Sequence, residues 1–232
     1  MATPPFSPAE AQAARLRIGL THQHISSHMA QLGVRRPPEA VVAWESGAAA
    51  PSETELFALA DALWCPVPVL MALIPRTLRE HRLARQFTQE RLAQRIGLDV
   101  QEYINAETVH RWTGTDHQTL LLADTLGLQP DELLRIIGHA AKLVDLLRQA
   151  VEGRWKAQLT VLARTAGADE RRVAHALRTL HQEHARFNER YMGHLVARSE
   201  NARLKEVATE RAQWLHALPD RFWALLGRTP HP

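Results

Sequence analysis

Apolar residues recur along this chain at intervals of three and four, and nowhere do they alternate with polar ones over a strand's length. In "FTQERLAQRIGLDVQEYINAE" (87–107), Leu92, Ala93 and Ile96 share one face of a helix. Tyr103 and Ile104 share the inner face of the next, and polar side chains fill the positions between. The pattern predicts helices throughout. Punctuation agrees. Ser7-Pro8-Ala9-Glu10, Ser52 with Glu55, and Thr77 with Glu80 read as capping boxes. Asp99 with Glu102 is an Asp-led equivalent, and Thr21 and Thr88 read as N-caps. Gly19, Gly47 and Gly127 stand where helices should stop. Pro66, Pro68 and Pro130 mark starts or breaks near short final helices.

The pattern also repeats. "RLRIGLT" (15–21) aligns with "RLARQFT" (82–88) at an offset of 67, and "ALADAL" (58–63) with "LLADTL" (121–126) at 63. Residues 1–75 and 76–138 therefore read as two copies of one five-helix unit, hinged at Ile74-Pro75-Arg76. The shrinking offset places extra residues in the middle of copy one. Trp44 and Trp64 are expected in its core. A different region follows over 139–232. Leu143, Leu146, Leu147, Ala150 and Val151 keep helical spacing, and a long helix is expected to begin near Asp169. Its apolar positions Val173, Leu177, Leu180, His184, Phe187 and Tyr191 are spaced 4, 3, 4, 3, 4 before Leu195 breaks register. That seam suits a helical hairpin or a dimer contact. Phe222, Trp223, Leu225 and Leu226 in "DRFWALLG" (220–227) read as a docking segment.

The spacing within 87–107 calls for two helices crossing closely at a small residue, Ala93. Gly97 supplies the turn, and Tyr103 holds the second helix down. That leaves Val100, Gln101, Glu102 and Asn105 on the second helix's outer side. The run "F-T-Q-E-x-L-A-x-x-I-G-L" resembles the Xre/Cro-type, lambda-repressor-like helix-turn-helix family, over nearly all of 77–138. The resemblance implies an all-α chain: two tandem lambda-repressor-like five-helix domains followed by a long-helix C-terminal region. It implies that the helix at about 99–106 lies in the DNA major groove. By position, Thr88 caps the supporting helix and Gln89 opens it, against the DNA backbone or a base. Val100, Gln101 and Asn105 would face base edges beside Glu102, and Arg95 would meet a phosphate. Amides suit this task because they pair with adenine N6 and N7 together. The family also pins its first helix to the end of the recognition helix with an Arg–Glu pair, which here would be Arg82 with Glu107 and Arg15 with Glu45. Copy two departs from the family at Ala106, where bulk is usual, and at Val109, where glycine usually ends the helix; Trp112 is available to fill the space.

Copy one follows the family at "WESGAAAP" (44–51), but its second helix runs three residues long before glycine. Its base-facing slots hold Pro38, Glu39 and Ala43, with Arg35 and Arg36 just ahead to grip phosphate or a guanine edge. Copy one reads equally as a DNA contact and as a buttress. A third echo, "LARTAGADERRVAHAL" (162–177), sets Ala163, Gly167 and Val173 at the same 0, 4, 10 spacing with Arg171 and Arg172 outward. It reads more simply as a packing hairpin.

Charge changes the picture. Residues 1–75 carry 4 basic and 6 acidic groups, residues 76–140 carry 8 and 9, and residues 141–232 carry 16 and 10. The HTH-like copies thus lack the strong positive field of a non-specific nucleic-acid binder, and DNA affinity there must come from placed contacts. The single cysteine, Cys65, excludes an intrachain disulfide and reads as inert core. His24 with His28 and His181 with His184 have helical spacing but no third ligand nearby, so neither metal nor cofactor is expected. There is no phosphate-binding Gly-rich loop, no G-x-S-x-G and no H-E-x-x-H, so no catalytic residue is assigned and no enzyme is expected. The opening residues lack a signal-peptide pattern. The longest apolar run, Ala62–Ile74, is 13 residues with two prolines, too short for a bilayer. The expectation is a cytoplasmic, nucleoid-associated regulator that binds duplex DNA as a homodimer through its C-terminal helices. The alternative is a scaffold of HTH folds that engages a transcription-machinery or toxin partner; a small-molecule sensor with its pocket in the C-terminal helices is a third reading.

Overall fold

Helices α1 (Pro8–Arg17), α2 (His22–Gln31), α3 (Pro38–Glu45), α4 (Glu53–Ala62) and α5 (Val67–Met71) form the first five elements of a computed structural model that describes residues 3–197 and 201–227. Five more follow at matching intervals: α6 (Leu78–Ala84), α7 (Gln89–Ile96), α8 (Val100–Val109), α9 (Asp116–Leu126) and α10 (Pro130–Ile136). The rest are α11 (Ala140–Glu152), α12 (Trp155–Ala166), α13 (Glu170–Val196), α14 (Asn201–His216) and α15 (Leu218–Leu225). The described residues contain no strand, as the apolar spacing requires. The chain divides into two units, Met1–Leu128 and Gln129–Pro232. Both sequence copies lie largely in unit one. The division falls at 128 rather than 138; α10 is tied to α11 by a three-residue link in which His139 N donates to Leu134 O at 2.8 Å.

Local chemistry sets the helix ends. Ser52 and Thr77 form reciprocal boxes with Glu55 and Glu80. Ser7 accepts from Glu10 N at 3.3 Å without a returned bond, so the expected first box is half formed. Thr21 makes its box with His24, whose Nδ1 accepts from Thr21 N at 3.3 Å. Unforeseen boxes join Thr115 to Gln118 and Gln129 to Glu132. Two left-handed residues are exchanged between the copies. Gly19 (φ 68°) corresponds to Gln86 (φ 55°), and Gly127 (φ 66°) to Trp64 (φ 48°). That turn throws Trp64 outward, 81% exposed, so it does not join the core as expected, whereas Trp44 is buried at 4%.

Ile25, Met29, Leu56, Leu59, Leu63 and Leu70 form one cluster with Trp44, and Leu83 of α6 enters it. The first helix of the second copy is therefore part of the first copy's core. Two buried ion pairs repeat atom for atom. Arg15 donates from Nε and Nη2 to Glu45 at 2.7 Å each, and from Nη1 to Leu20 O at 3.1 Å. Arg82 donates from Nε and Nη2 to Glu107 at 2.6 and 3.1 Å, and from Nη1 to Phe87 O at 2.8 Å. Both expected pairs are present. Arg82 goes further. Its remaining N–H groups reach Glu53 of α4 at 2.8 and 3.2 Å, so all five guanidinium donors are used with the side chain 0% exposed.

In unit two, Val173, Leu177, Leu180 and His184 point into a bundle made by the same chain's α11, α12, α14 and α15. Phe187 is half-buried against Trp214, and Tyr191 and everything beyond it on the apolar stripe is exposed. The expected seam is thus filled intramolecularly over its first two heptads, and only Tyr191, Met192, Leu195 and Val196 remain open at its far end. The docking segment buries Phe222, Trp223 and Leu226, while Leu225 faces out. The histidine pairs have other employment: His181 contacts Val151 O at 3.0 Å, and His184 Nε2 accepts from Arg211 Nε at 3.0 Å. No helix among the described residues is long and apolar enough to cross a membrane.

Removing one partner of a buried pair strands the other charge, so Arg82→Ala should cost unit one about 3–5 kcal/mol in urea unfolding. Arg15→Ala should cost less, because its side chain is 10% exposed and lacks a second acid. The acids predict a pH window. Burial acts to raise Glu45, Glu53 and Glu55, but hydrogen bonds from Arg15, from Arg82 and Arg79, and from Ser52 with Arg36 outweigh it and hold each below its usual 4.5. The unfolded chain then binds more protons, so this stability is present above about pH 4.5 and lost as pH falls through the folded-state values. Amide exchange of α1–α9 across an acid titration should show that loss.

Candidate nucleic-acid interface

Thr88 caps α7 by accepting from Arg91 N at 3.2 Å, and Leu92, Ala93 and Ile96 are fully buried beneath it. Ala93 carries no bulk because α8 crosses there. Gly97 then takes a left-handed conformation (φ 68°) with open space where a Cβ would stand. Its requirement is conformational rather than steric. Leu98 N donates to Ala93 O at 2.9 Å, and Gln118 of α9 ties the turn by donating from Nε2 to Gly97 O at 2.7 Å. Asp99 Oδ1 caps α8 by accepting from Gln101 N and Glu102 N at 2.8 and 3.2 Å.

Glu107 sets the rotation of α8. One of its oxygens accepts from Arg82 Nε at 2.6 Å and Tyr103 OH at 2.7 Å. The other accepts from Gln89 Nε2 at 2.8 Å and Arg82 Nη2 at 3.1 Å. Burial, with the neighbouring Glu107 carboxylate, pushes the Tyr103 phenol up, so it remains a neutral donor. With Tyr103 and Glu107 turned inward, residues two positions away point about 200° around the helix. Gln101, Glu102 and Asn105 are accordingly exposed, and Val100 is half-buried. Gln101 Nε2 donates to Asn105 Oδ1 at 3.3 Å, which orders the two amides against each other. Arg95 is exposed on α7. Gln89 and Thr88 are half-buried; one N–H of Gln89 serves Glu107, leaving its carbonyl and a second N–H.

The loop after α8 departs from expectation as its sequence does. Val109 stays in the helix and is exposed, and His110 takes the left-handed cap (φ 54°) in place of glycine. Trp112 is half-buried and donates from Nε1 to Thr119 Oγ1 at 2.7 Å. In copy one, Arg35 and Glu39 are exposed, but Arg36 is bonded to Glu55 of α4. His22 occupies the place of Gln89 and contacts Glu45 at 3.1 Å. The sequence reading missed Glu53 and Gln118. The Thr115-x-x-Gln118 capping spacing was a visible signal for the second; Glu53 had none, since its role is long-range.

Gly97→Ala should destabilise unit one by about 1–2 kcal/mol, the cost of a left-handed conformation for a Cβ-bearing residue, as read from urea midpoints. Comparison with known proteins returns no matching family model, no similar curated protein and no similar solved structure.

Proposed function

We propose that this protein is a sequence-specific duplex-DNA-binding transcriptional regulator with tandem lambda-repressor-like helix-turn-helix copies, and that α8 reads the major groove. One observation carries the reading: Gln101 and Asn105 stand exposed on a helix whose rotation is fixed from behind. Because Gln101 donates to Asn105, its carbonyl is left to accept and the Asn105 NH2 is left to donate. That acceptor–donor set complements adenine N6–H and N7. Arg95 supplies a phosphate contact. Copy one acts mainly as a buttress, since Glu39 is exposed, Pro38 and Ala43 are half-buried and Arg36 is engaged internally, leaving Arg35 alone to touch DNA. A homodimer closed through the exposed far end of α13 would set two half-sites about one helical turn apart, or a multiple of it. The role is binding rather than catalysis.

One observation favours the competing reading, a scaffold for a protein partner: residues 1–128 carry 11 basic and 13 acidic side chains. Salt separates the two, because a DNA binder loses affinity by about 0.9 log units per log unit of salt for each phosphate contact. Duplexes selected from a randomised pool by the full chain should show that dependence. On the selected site, Gln101→Ala or Asn105→Ala should lower discrimination at one A·T pair by about 5- to 150-fold in competition binding. Wild-type discrimination in both variants would remove α8 as the reader.

A further inference from the structure

The turn between α12 and α13 repeats that between α7 and α8 bond for bond. Gly167 (φ 56°) ends α12 as Gly97 (φ 68°) ends α7. Ala168 N donates to Ala163 O at 3.1 Å, where Leu98 N donates to Ala93 O at 2.9 Å. Asp169 Oδ1 accepts from Arg171 N and Arg172 N at 2.9 and 3.3 Å, as Asp99 does from its own two residues. Leu162, Ala163 and Ala166 replace Leu92, Ala93 and Ile96 beneath the turn, and Val173 replaces Tyr103. A packing hairpin accounts for this buried half. It does not account for the outer half.

There the amides are replaced by an arginine and a histidine. Arg171 holds the place of Gln101 and His175 that of Asn105, with Arg178 one turn further; all three are exposed. The Arg178 guanidinium lies 5.7 Å from the centre of the Trp155 ring, which braces its stem. Arg164 is exposed on α12. Three other arginines of unit two are paired, Arg190 with Glu210, Arg211 with Glu152 and Arg221 with Glu183, whereas Arg135, Arg148, Arg154, Arg186 and Arg203 are not paired among the described residues. Arg164, Arg171 and Arg178 make no ion pair among the described residues. Residues 129–232 hold 17 basic and 12 acidic groups, against 11 and 13 in residues 1–128. The chain's basic excess is thus in unit two, which also holds a turn of the same construction.

We propose that α12–α13 is a second duplex-DNA contact, in which Arg171, His175 and Arg178 enter the major groove and Arg164 grips flanking phosphate. Arg171 and Arg178 are seven residues apart, about 10 Å along the axis. A major groove is about 12 Å wide and admits a helix, so such a pair reaches phosphates or guanine edges at both ends of the docked segment. The site adds to the function proposed above and does not need α8 to be the reader.

The test is the salt dependence of the full chain's affinity for a mixed-sequence duplex, read by fluorescence anisotropy. Arg171→Gln with Arg178→Gln should flatten the slope by about 1.8, two phosphate contacts' worth, and Arg171→Lys with Arg178→Lys should restore it. Arg190→Gln with Arg221→Gln, which removes equal charge from paired positions, should leave the slope near wild type. A wild-type slope in the Arg171/Arg178 glutamine variant overturns the proposal, as does an equal loss in the Arg190/Arg221 control. Gln101→Ala with Asn105→Ala reports separately: unchanged discrimination there, with a flattened slope in the Arg171/Arg178 variant, defeats the α8 reading and leaves this one standing. Circular dichroism of each variant confirms that the fold is retained.

Discussion

A single guanidinium organises unit one. Arg82 is fully buried and uses five donors on two carboxylates and a carbonyl, so it acts as a rigid planar connector among α4, α6 and α8. A lone charge in that position would be prohibitively costly, and its energy is acceptable only because every N–H is matched. Two consequences follow in opposite directions along the chain. Toward Glu107, the pair fixes how α8 is rotated and hence which side chains face solvent. Toward Glu53, it locks the second copy onto the first. Arginine suits this better than lysine, whose point charge has no fork to span two acids.

The sequence carried the parts of this that depend on near neighbours in pattern. Apolar spacing located the helices, and caps located most of their starts. The Ala93–Gly97–Tyr103 interval described a close crossing, a left-handed turn and a buried bulk, all of which are present. Both Arg–Glu pairs were expected from the family resemblance, which implied their positions, and both are present. What was not legible depends on contacts distant in sequence. Glu53 looks like an ordinary first-turn acid, and nothing nearby says that it faces Arg82. Trp64 looks like core by composition, yet its backbone takes the conformation that its counterpart Gly127 takes, and the side chain is carried outward. The heptad in α13 was real, but its spacing does not say whether the partner comes from the same chain; α11, α12, α14 and α15 fill most of it.

The two turns at 97–99 and 167–169 illustrate how little of a helix-turn-helix is committed to any particular task. The inner residues, the left-handed glycine and the capping aspartate are shared. The outer residues differ, Gln101 and Asn105 on one and Arg171 and His175 on the other. In the proposed reading, specificity and attraction are physically distinct demands, and a chain with separate elements can tune one without disturbing the other.

The joint between α4 and α6 has a consequence for how this molecule can be altered. A chain severed near Pro75 would leave its latter portion with an arginine lacking half its anchoring acids, and its former portion with Leu83 missing from the interior. Neither fragment would be whole. The earlier repeat can therefore vary in what it displays to solvent, while remaining indispensable as a foundation stone for its sibling.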